Sequence, residues 1–227
     1  MREIVLDTET TGLNPKGGHR IVEIGCVELV NHMPTGETYH QYINPERDIP
    51  EEVIRVHGID NERVKDEPVF SQISEAFLDF LADSTLVIHN AEFDMGFINA
   101  ELARLGVAAL PMTRTIDTVK IARKKFPGAQ ANLDALCRRF GIDNSSRVFH
   151  GALLDADLLA NVYLELIGGR QPGLELASDE GKAALALANQ AKIDRPFREP
   201  RPHAASAEEL ATHEEFVKKL KDPVWQS

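Results

Sequence analysis

The 227-residue chain is 43% hydrophobic and 27% charged, which is sufficient to bury the core of one good-sized domain with an appendage. Its two cysteines, Cys26 and Cys137, lie in apolar patterns typical of core packing and argue against a disulfide framework or a zinc site; with no signal peptide or membrane-length apolar run, we expect a cytoplasmic protein. The net charge of −11 argues against general binding to a phosphate backbone, so any hold on nucleic acid would come from local metal ions or a basic partner.

The first part of the chain has the pattern of an antiparallel meander. Apolar and β-branched runs predict strands over 4–7, 20–30 and 37–43, with Gly36 supplying the turn into the third. A proline-led segment over 50–56 then predicts a short helix.

The next part alternates between helices and strands. Apolar residues at helical spacing predict helices over 71–82, 92–105, 133–140 and 151–167, and short strands are expected at 85–88 and around Ile116. Strands followed by alternating strands and helices indicate a mixed α/β sheet covered by helices.

The composition changes after Gly169. Residues 171–187 are weakly patterned, and 194–202 combine proline with arginine, which is typical of a linker. Helical periodicity returns over 207–221 as a stripe with Phe216 beside it, formed by Leu210, His213, Val217 and Leu220. We therefore expect a domain over 1–169, a linker over 170–206 and a docking segment over 207–227.

A pair of carboxylates follows the first apolar strand. Asp7 and Glu9 are two residues apart, so a strand would project both from the same face near its end. Two carboxylates forced together repel unless a cation neutralises them, and oxygen ligands of this kind suit Mg²⁺ or Mn²⁺. The alternative is a strand that ends in a polar turn, with both side chains solvated.

A third carboxylate lies on a helix stripe that should face the interior. Asp94 shares helical spacing with Ile98, Leu102 and Leu105, just after the strand that ends at Ile88. A buried carboxylate needs a partner, because an unpaired buried charge is costly. A buried salt bridge or a helix cap is the competing explanation for this residue.

The last predicted helix of the domain carries two aspartates in different settings. Asp155 shares its stripe with apolar residues, whereas Asp157 shares its face with Asn161 and is expected at the surface. His150 precedes this helix and lies near whatever Asp155 binds. Four converging carboxylates require cations to neutralise them, and two metal ions are the usual arrangement for phosphoryl chemistry. His150 is suited to take a proton from water.

In this order and spacing, the segments resemble the DEDD family of 3′–5′ exonucleases, in the subtype with a catalytic histidine. The resemblance covers about 2–169 and implies an α/β, RNase H-like fold with a mixed five-stranded sheet flanked by helices, followed by a flexible C-terminal tail. It also implies that two Mg²⁺ or Mn²⁺ ions are bound by four carboxylates, with His150 as the general base. These carboxylates are Asp7, Glu9, Asp94 and Asp155.

The same resemblance implies contacts with the substrate. Thr8, Thr10 and Gly12 would meet the terminal nucleotide, with Leu13 placed as a wedge against a base. Val56 and His57 resemble the family loop whose histidine contacts that nucleotide, and Asn90 and Phe93 would line the same pocket. The alternatives are that Leu13 packs in a loop and that His57 ends a short helix.

The tail and two strings of the core, 133–140 and 151–155, resemble the proofreading (epsilon) subunits of bacterial DNA polymerase III. There the C-terminal segment holds the polymerase (alpha) subunit, which implies a polymerase contact through Leu210, Phe216, Leu220 and Trp225. Gln171, Leu174 and Leu176 fall in a pattern similar to a sliding-clamp peptide, although Leu176 replaces the aromatic residue often found last. The implied partners are a DNA 3′ end, the polymerase III alpha subunit, the sliding clamp and a small theta-like accessory subunit.

The leading hypothesis is removal of mispaired 3′-terminal nucleotides from DNA. Two alternatives stay open: a stand-alone 3′–5′ exoribonuclease or oligoribonuclease, and a non-catalytic subunit that bridges polymerase and clamp. Binding of the C-terminal segment to a polymerase would distinguish the leading hypothesis from the first alternative. Metal-dependent nuclease activity would distinguish it from the second.

Overall fold

A five-stranded mixed sheet organises the N-terminal part of the chain, and the computed structural model describes residues 1–145, 147, 149–168 and 204–220. The strands are β1 (Arg2–Thr10), β2 (Ile21–Val30), β3 (Met33–Tyr42), β4 (Thr85–Ile88) and β5 (Thr115–Asp117). The helices are α1 (Glu51–His57), α2 (Asn61–Val64), α3 (Phe70–Leu81), α4 (Ala91–Arg104), α5 (Thr118–Lys125), α6 (Leu133–Phe140), α7 (Ala152–Ile167) and α8 (Ala207–Val217).

The sheet has the order β3-β2-β1-β4-β5. β1 pairs antiparallel with β2 and parallel with β4, and β4 pairs parallel with β5. Ile4, Val5 and Leu6 are fully buried because β1 is central and both of its faces are covered. The predicted mixed five-stranded sheet is confirmed.

The hairpin between β2 and β3 corrects one prediction. The chain reverses at Asn31 and His32, which both have positive φ (51° and 66°), and Gly36 lies inside β3. A two-residue hairpin loop favours positive φ because it matches the twist of the strands, and asparagine tolerates it well. The turn predicted at Gly36 was therefore wrong, because glycine is not the only residue that can reverse the chain.

Each face of the sheet carries its own hydrophobic core. One face packs Ile4 and Leu6 against α3 and α4, through side chains such as Phe77 and Ile98. The other packs Val5 and Val87 against α6 and α7. Cys26 and Cys137 are buried and unpaired within these two cores, as predicted.

Two helices were not predicted, and one predicted stripe is shorter than expected. α2 and α5 are short helices capped by aspartates: the Asp60 side chain accepts from Arg63 N–H, and that of Asp117 from Val119 N–H. On α4, Asp94, Ile98 and Leu102 are buried, but Leu105 is exposed because the helix ends before it.

The chain divides into two compact units, Met1–Leu174 and Glu175–Ser227. In the second unit, α8 starts with a capping box between Ser206 and Glu209. Leu210 and Phe216 are exposed on α8, and Leu220, also exposed, lies beyond the end of the helix. Among the described residues, no helix combines the length and apolar character needed to cross a membrane.

Candidate active site

Three elements deliver carboxylates to one cavity. Asp7 and Glu9 project from the same face of β1 and are half-buried. Asp94 lies in the first turn of α4 and Asp155 in the first turn of α7, and they are 3% and 4% exposed. The predicted burial of Asp94 and Asp155 is confirmed, and Asp157 is exposed as expected.

The position of Asp155 depends on a close approach between α7 and β2. A Cβ atom on Gly25 would lie 2.2 Å from the backbone of Ala152, so only glycine leaves room for the start of the helix. Gly25 is directly opposite Asp7 in the sheet register. The buried carboxylate of Glu23 on β2 accepts a hydrogen bond from Ala152 N–H at 3.0 Å, which fixes the first turn of α7 on β2.

Asp94 is held from the opposite side of β1. The hydroxyl of Thr8 donates to Asp94 Oδ1 at 2.7 Å, and both residues are buried. Thr8 thus links the central strand to α4 and orients the Asp94 carboxylate toward the cavity.

His150 lies in the segment that leads into α7. Its backbone N–H donates to Val56 O at 3.2 Å, and the ring of the preceding Phe149 lies over Gly58. Its side chain is 47% exposed, with Nδ1 3.3 Å from Asp155 Oδ2. The end of α1 therefore supports the segment that carries the predicted general base.

Asp7, Glu9, Asp94, His150 and Asp155 all line a single cavity of about 260 Å³. The five residues predicted from three separate segments are therefore brought together. Because Asp7 and Glu9 line this cavity, the alternative in which both are solvated side chains of a polar turn is not supported.

Burial and mutual repulsion shift the pKa values of the acidic cluster. Burial, followed by the charges of Asp94, Glu9 and Asp155, raises the pKa of Asp7 well above its ordinary value. Burial and Asp155 together raise the pKa of Glu9 to about 8. Burial raises the pKa of Asp94 to about 7, although the hydrogen bond from Thr8 opposes this.

Asp155 behaves in the opposite way. Burial alone would raise its pKa, but His150, when its ring is protonated, and Arg147 outweigh burial and hold the pKa of Asp155 below its ordinary value. Asp155 is therefore the acidic member of the cluster that already has cationic support within the protein.

The donor set fits a divalent cation. Glu9, His150 and Asp155 each offer a ligand atom, and these atoms lie within 4.8 Å of one another. The four carboxylates supply hard oxygen ligands, which Mg²⁺ and Mn²⁺ prefer. The raised pKa values of Asp7, Glu9 and Asp94 are the expected result of gathering acidic groups where a cation would neutralise them.

A second, larger cavity of about 540 Å³ adjoins the first and shares Thr8, Glu9 and Phe93 with it. Most of the predicted substrate contacts line this cavity, namely Thr8, Thr10, Gly12, Leu13, Val56, His57 and Phe93. Leu13 is 84% exposed, which contradicts the alternative that it packs inside a loop.

His57 is buried at the end of α1, yet one of its nitrogens is unsatisfied. Its Nδ1 accepts from Ile59 N–H at 3.0 Å, so the neutral ring carries its proton on Nε2. That buried Nε2 makes no well-formed hydrogen bond to a described residue. Burial lowers the pKa of His57, although the backbone of Thr10 opposes this, and the neutral ring is favoured beside the second cavity.

Asn90 lies at the start of α4. It is exposed, adopts a left-handed conformation, and is absent from the described residues that line the two cavities. Its contact with substrate stays a prediction. The predicted partner residues Gln171, Leu174, Leu176 and Trp225 lie outside the described residues.

The sequence analysis missed four polar residues that line the first cavity: His89, Asn132, Asp134 and Arg147. Asn132 caps α6, and His89 Nδ1 is 2.8 Å from the Thr118 hydroxyl. Arg147 donates to both oxygens of Asp155 and is only 8% exposed. Its position three residues before His150 was the one available sequence signal.

Comparison with known proteins identifies the family. Residues 4–163 match the family model described as Exonuclease. The chain is 49% identical over 225 residues to DNA polymerase III subunit epsilon of Rickettsia conorii, covering 97% of this chain and 96% of that protein. It is 44% identical over 221 residues to the Escherichia coli K12 protein of the same name, covering 94% and 90%.

The chain belongs to the exonuclease family of DNA polymerase III epsilon subunits. It is therefore a 3′–5′ exonuclease, as its acidic cavity indicates. The fold agrees: the nuclease domain of 3′hExo, described as a DEDDh family member bound to rAMP, superimposes with a TM-score of 0.65 at 23% identity. That match covers 78% of this chain and 94% of the other. The RNase H-like fold predicted for this epsilon-family chain is confirmed.

Proposed function

We propose that this exonuclease proofreads DNA, removing mispaired 3′-terminal nucleotides by hydrolysis of the terminal phosphodiester. The observation that carries the proposal is the convergence of four carboxylates and His150 in one cavity, directly beside a second cavity that can hold a nucleotide. The relatives named DNA polymerase III subunit epsilon support the replicative role.

Asp7, Glu9, Asp94 and Asp155 would hold two divalent cations, Mg²⁺ or Mn²⁺. When bound, such ions activate water and stabilise the negative charge that develops on the transferred phosphate. The protein supplies fixed ligand positions: Thr8 orients Asp94, and the close packing of α7 on Gly25 fixes Asp155.

His150 would take the proton of the attacking water. It is the exposed member of the set, so its ring is accessible to water and substrate, while its backbone is anchored to Val56. Imidazole is suited to proton transfer near neutral pH.

The second cavity would bind the terminal nucleotide. The exposed Leu13 offers an apolar surface against which a base can stack, and Val56 and Phe93 add apolar walls. The Nε2–H of His57, a residue that lines this cavity, would donate to a sugar or phosphate oxygen.

Preference for mispaired ends would arise partly from the DNA. An unpaired 3′ end costs less to separate from its template, so it reaches a single-strand pocket more often. The net charge of −11 favours a design in which other subunits hold the duplex. The proposed partners are therefore the polymerase III alpha subunit, the sliding clamp and a theta-like subunit, in the bacterial cytoplasm.

The test is a nuclease assay on primer–template DNA with a paired or a mispaired 3′ end, alongside single-stranded DNA and RNA, in Mg²⁺, Mn²⁺ or chelator. We expect metal-dependent, stepwise shortening that is faster on the mispaired end. Asp155→Asn should lose at least about 100-fold in rate through loss of a metal ligand. Asp157→Asn, on the same helix but exposed, is the matched control and should retain activity.

Faster cleavage of RNA than of DNA would favour the exoribonuclease alternative. The absence of cleavage with either metal would favour the bridging subunit. Equal rates on paired and mispaired ends would count against the proposed source of selectivity.

A further inference from the structure

Arg147 lines the acidic cavity and contacts two of its functional residues. Its Nε donates to Asp155 Oδ1 at 2.5 Å, and its Nη2 donates to Asp155 Oδ2 at 2.6 Å. It is the single arginine or lysine among the described residues that line this cavity. A two-pronged pair of this kind is the strongest arrangement of arginine with a carboxylate, so both oxygens of Asp155 are engaged.

The same guanidinium also engages His150. Nη2 of Arg147 lies 2.6 Å from His150 Nδ1. Arginine has only donors, so Nδ1 must be the acceptor and the neutral ring then keeps its proton on Nε2. In this arrangement neither ring nitrogen is ready to take a proton from water, because Nδ1 is occupied and Nε2 is already protonated.

Arg147 therefore covers two of the three residues that are placed to hold a cation. Glu9, His150 and Asp155 form that group, and the guanidinium contacts Nδ1 of His150 and both oxygens of Asp155. A positive group in this place reduces the repulsion within the acidic cluster, which is also what a metal ion would do.

A second carboxylate gives Arg147 an anchor away from the cluster. Its Nη1 donates to Asp134 Oδ1 at 2.7 Å, and Asn144 Nδ2 donates to the same oxygen at 3.0 Å. Asp134 is 44% exposed, in contrast to the buried Asp155. The guanidinium can thus release Asp155 and still keep a carboxylate partner at the cavity wall.

We propose that Arg147 is a positioning residue that substitutes for metal in the resting enzyme: it holds Asp155 and His150 in place, and it must release at least one Asp155 oxygen when a divalent ion binds. This inference rests on the proposed metal site and deepens it. Arg147 competes with the metal for Asp155, and its release also frees His150 Nδ1.

The test measures Mn²⁺ affinity of the full-length protein by electron paramagnetic resonance of the free ion, without substrate. Arg147→Met removes the charge while keeping a long side chain, and Arg147→Lys keeps the charge without the two-pronged contact. Because hydrogen bonds to charged groups change an equilibrium by roughly tenfold, we expect Arg147→Met to bind Mn²⁺ about tenfold more tightly. Arg147→Lys should lie between Arg147→Met and the wild type.

Arg138→Met is the matched control, because Arg138 is an exposed arginine on the neighbouring α6. It should leave Mn²⁺ affinity unchanged, which separates local competition from a change in net charge. Circular dichroism would establish that each variant is folded. In the wild type, the Nε–H resonance of Arg147 should shift when Mg²⁺ is added, a readout that is independent of substitution.

Unchanged or weaker Mn²⁺ binding by folded Arg147→Met would overturn the competition between Arg147 and metal, while the metal site itself would stand. Failure of the wild type to bind Mn²⁺ would overturn the metal site, and the present inference with it. An Arg147 resonance that ignores saturating Mg²⁺ would also contradict the release of Asp155.

Discussion

At the scale of single residues, the acidic cluster lowers the stability of the metal-free protein and supplies the groups needed for catalysis. Asp7, Glu9 and Asp94 have raised pKa values because the fold buries them close together. Such groups make the metal-free protein less stable once they are ionised, since their charges repel where water cannot screen them. A metal ion that binds only the folded protein would reverse this loss.

This arrangement predicts a pH dependence of stability in the presence of chelator. Unfolded Asp and Glu titrate near pH 4, whereas Asp94 and Glu9 titrate at about 7 and 8 when folded. The folded state thus holds more protons between these values, so stability falls as pH rises through them. We expect the melting temperature in chelator to decrease from pH 6.5 to 9, and saturating Mg²⁺ or Mn²⁺ to reduce that decrease.

Above pH 6.5, His57 and His89 do not add an opposing change in stability. Burial lowers the pKa of His57 and His89, so they cost stability only when the pH falls below about 6.5, where the unfolded rings gain protons. Melting temperatures in chelator that are constant or rising above pH 6.5 would contradict the destabilising role of the acidic cluster.

Asp7→Asn separates the two roles of this residue. It replaces an acid whose ionisation the fold opposes with a neutral side chain, so it should raise the melting temperature of the metal-free protein at pH 8 by a few degrees, at about 2–4 °C for each kcal/mol. It should also abolish the stabilisation by Mn²⁺ and the nuclease activity. Thermal denaturation with and without metal provides the measurement, and Asp157→Asn, at an exposed position, is the control.

At the scale of elements, the contact between β2 and α7 determines where Asp155 lies. Gly25→Ala would place a methyl group 2.2 Å from the backbone of Ala152, so the helix must move. We expect a loss of about 1–3 kcal/mol in stability and a fall in activity larger than the unfolded fraction explains. Chemical denaturation and nuclease rates on one sample would measure both.

Gly96→Ala is the matched control for that substitution. Gly96 lies inside α4, and an added Cβ would meet only Pro15, at 3.8 Å. Alanine favours a helix interior, so stability should be equal or higher. If Gly25→Ala behaved like Gly96→Ala, the close approach would not be what positions Asp155.

The elements also show what the sequence could and could not predict. Periodicity located α6 at its observed bounds, and the inward stripes of α4 and α7 correctly distinguished Asp94 and Asp155 from the exposed Asp157. Periodicity missed α5, whose surface is dominated by charge, and the use of Gly36 as a turn signal misplaced the β2–β3 turn. The role of Arg147 was not predicted, because it depends on a loop geometry that has no periodic pattern.

At the scale of the whole molecule, α8 presents apolar side chains suited to a partner. Leu210 and Phe216 are more than half exposed on α8, and large exposed apolar side chains often mark interfaces. If α8 is the polymerase-docking segment, Phe216→Ser should weaken binding to the polymerase alpha subunit by at least about tenfold. Nuclease activity on a short single strand should stay unchanged.

Surface plasmon resonance with immobilised alpha subunit would measure that binding. Glu215→Ala, the exposed neighbour of Phe216 on the same helix, is the control and should bind normally. Equal affinity of the Phe216→Ser variant and the wild type would remove Phe216 from the docking surface.

The central position of β1 also has a consequence for the newly made chain. Asp7 and Glu9 meet Asp94 only after β1 has paired with β4, and they meet Asp155 only after α7 has packed on β2. The hydrogen bond between Ala152 and Glu23 joins residues 129 positions apart, and such distant contacts form slowly because long loops must close first. A nascent or partly folded chain therefore carries every acidic residue of the nuclease but cannot cleave its substrate. Cleavage begins only when α7, the last helix of the domain, has packed on β2.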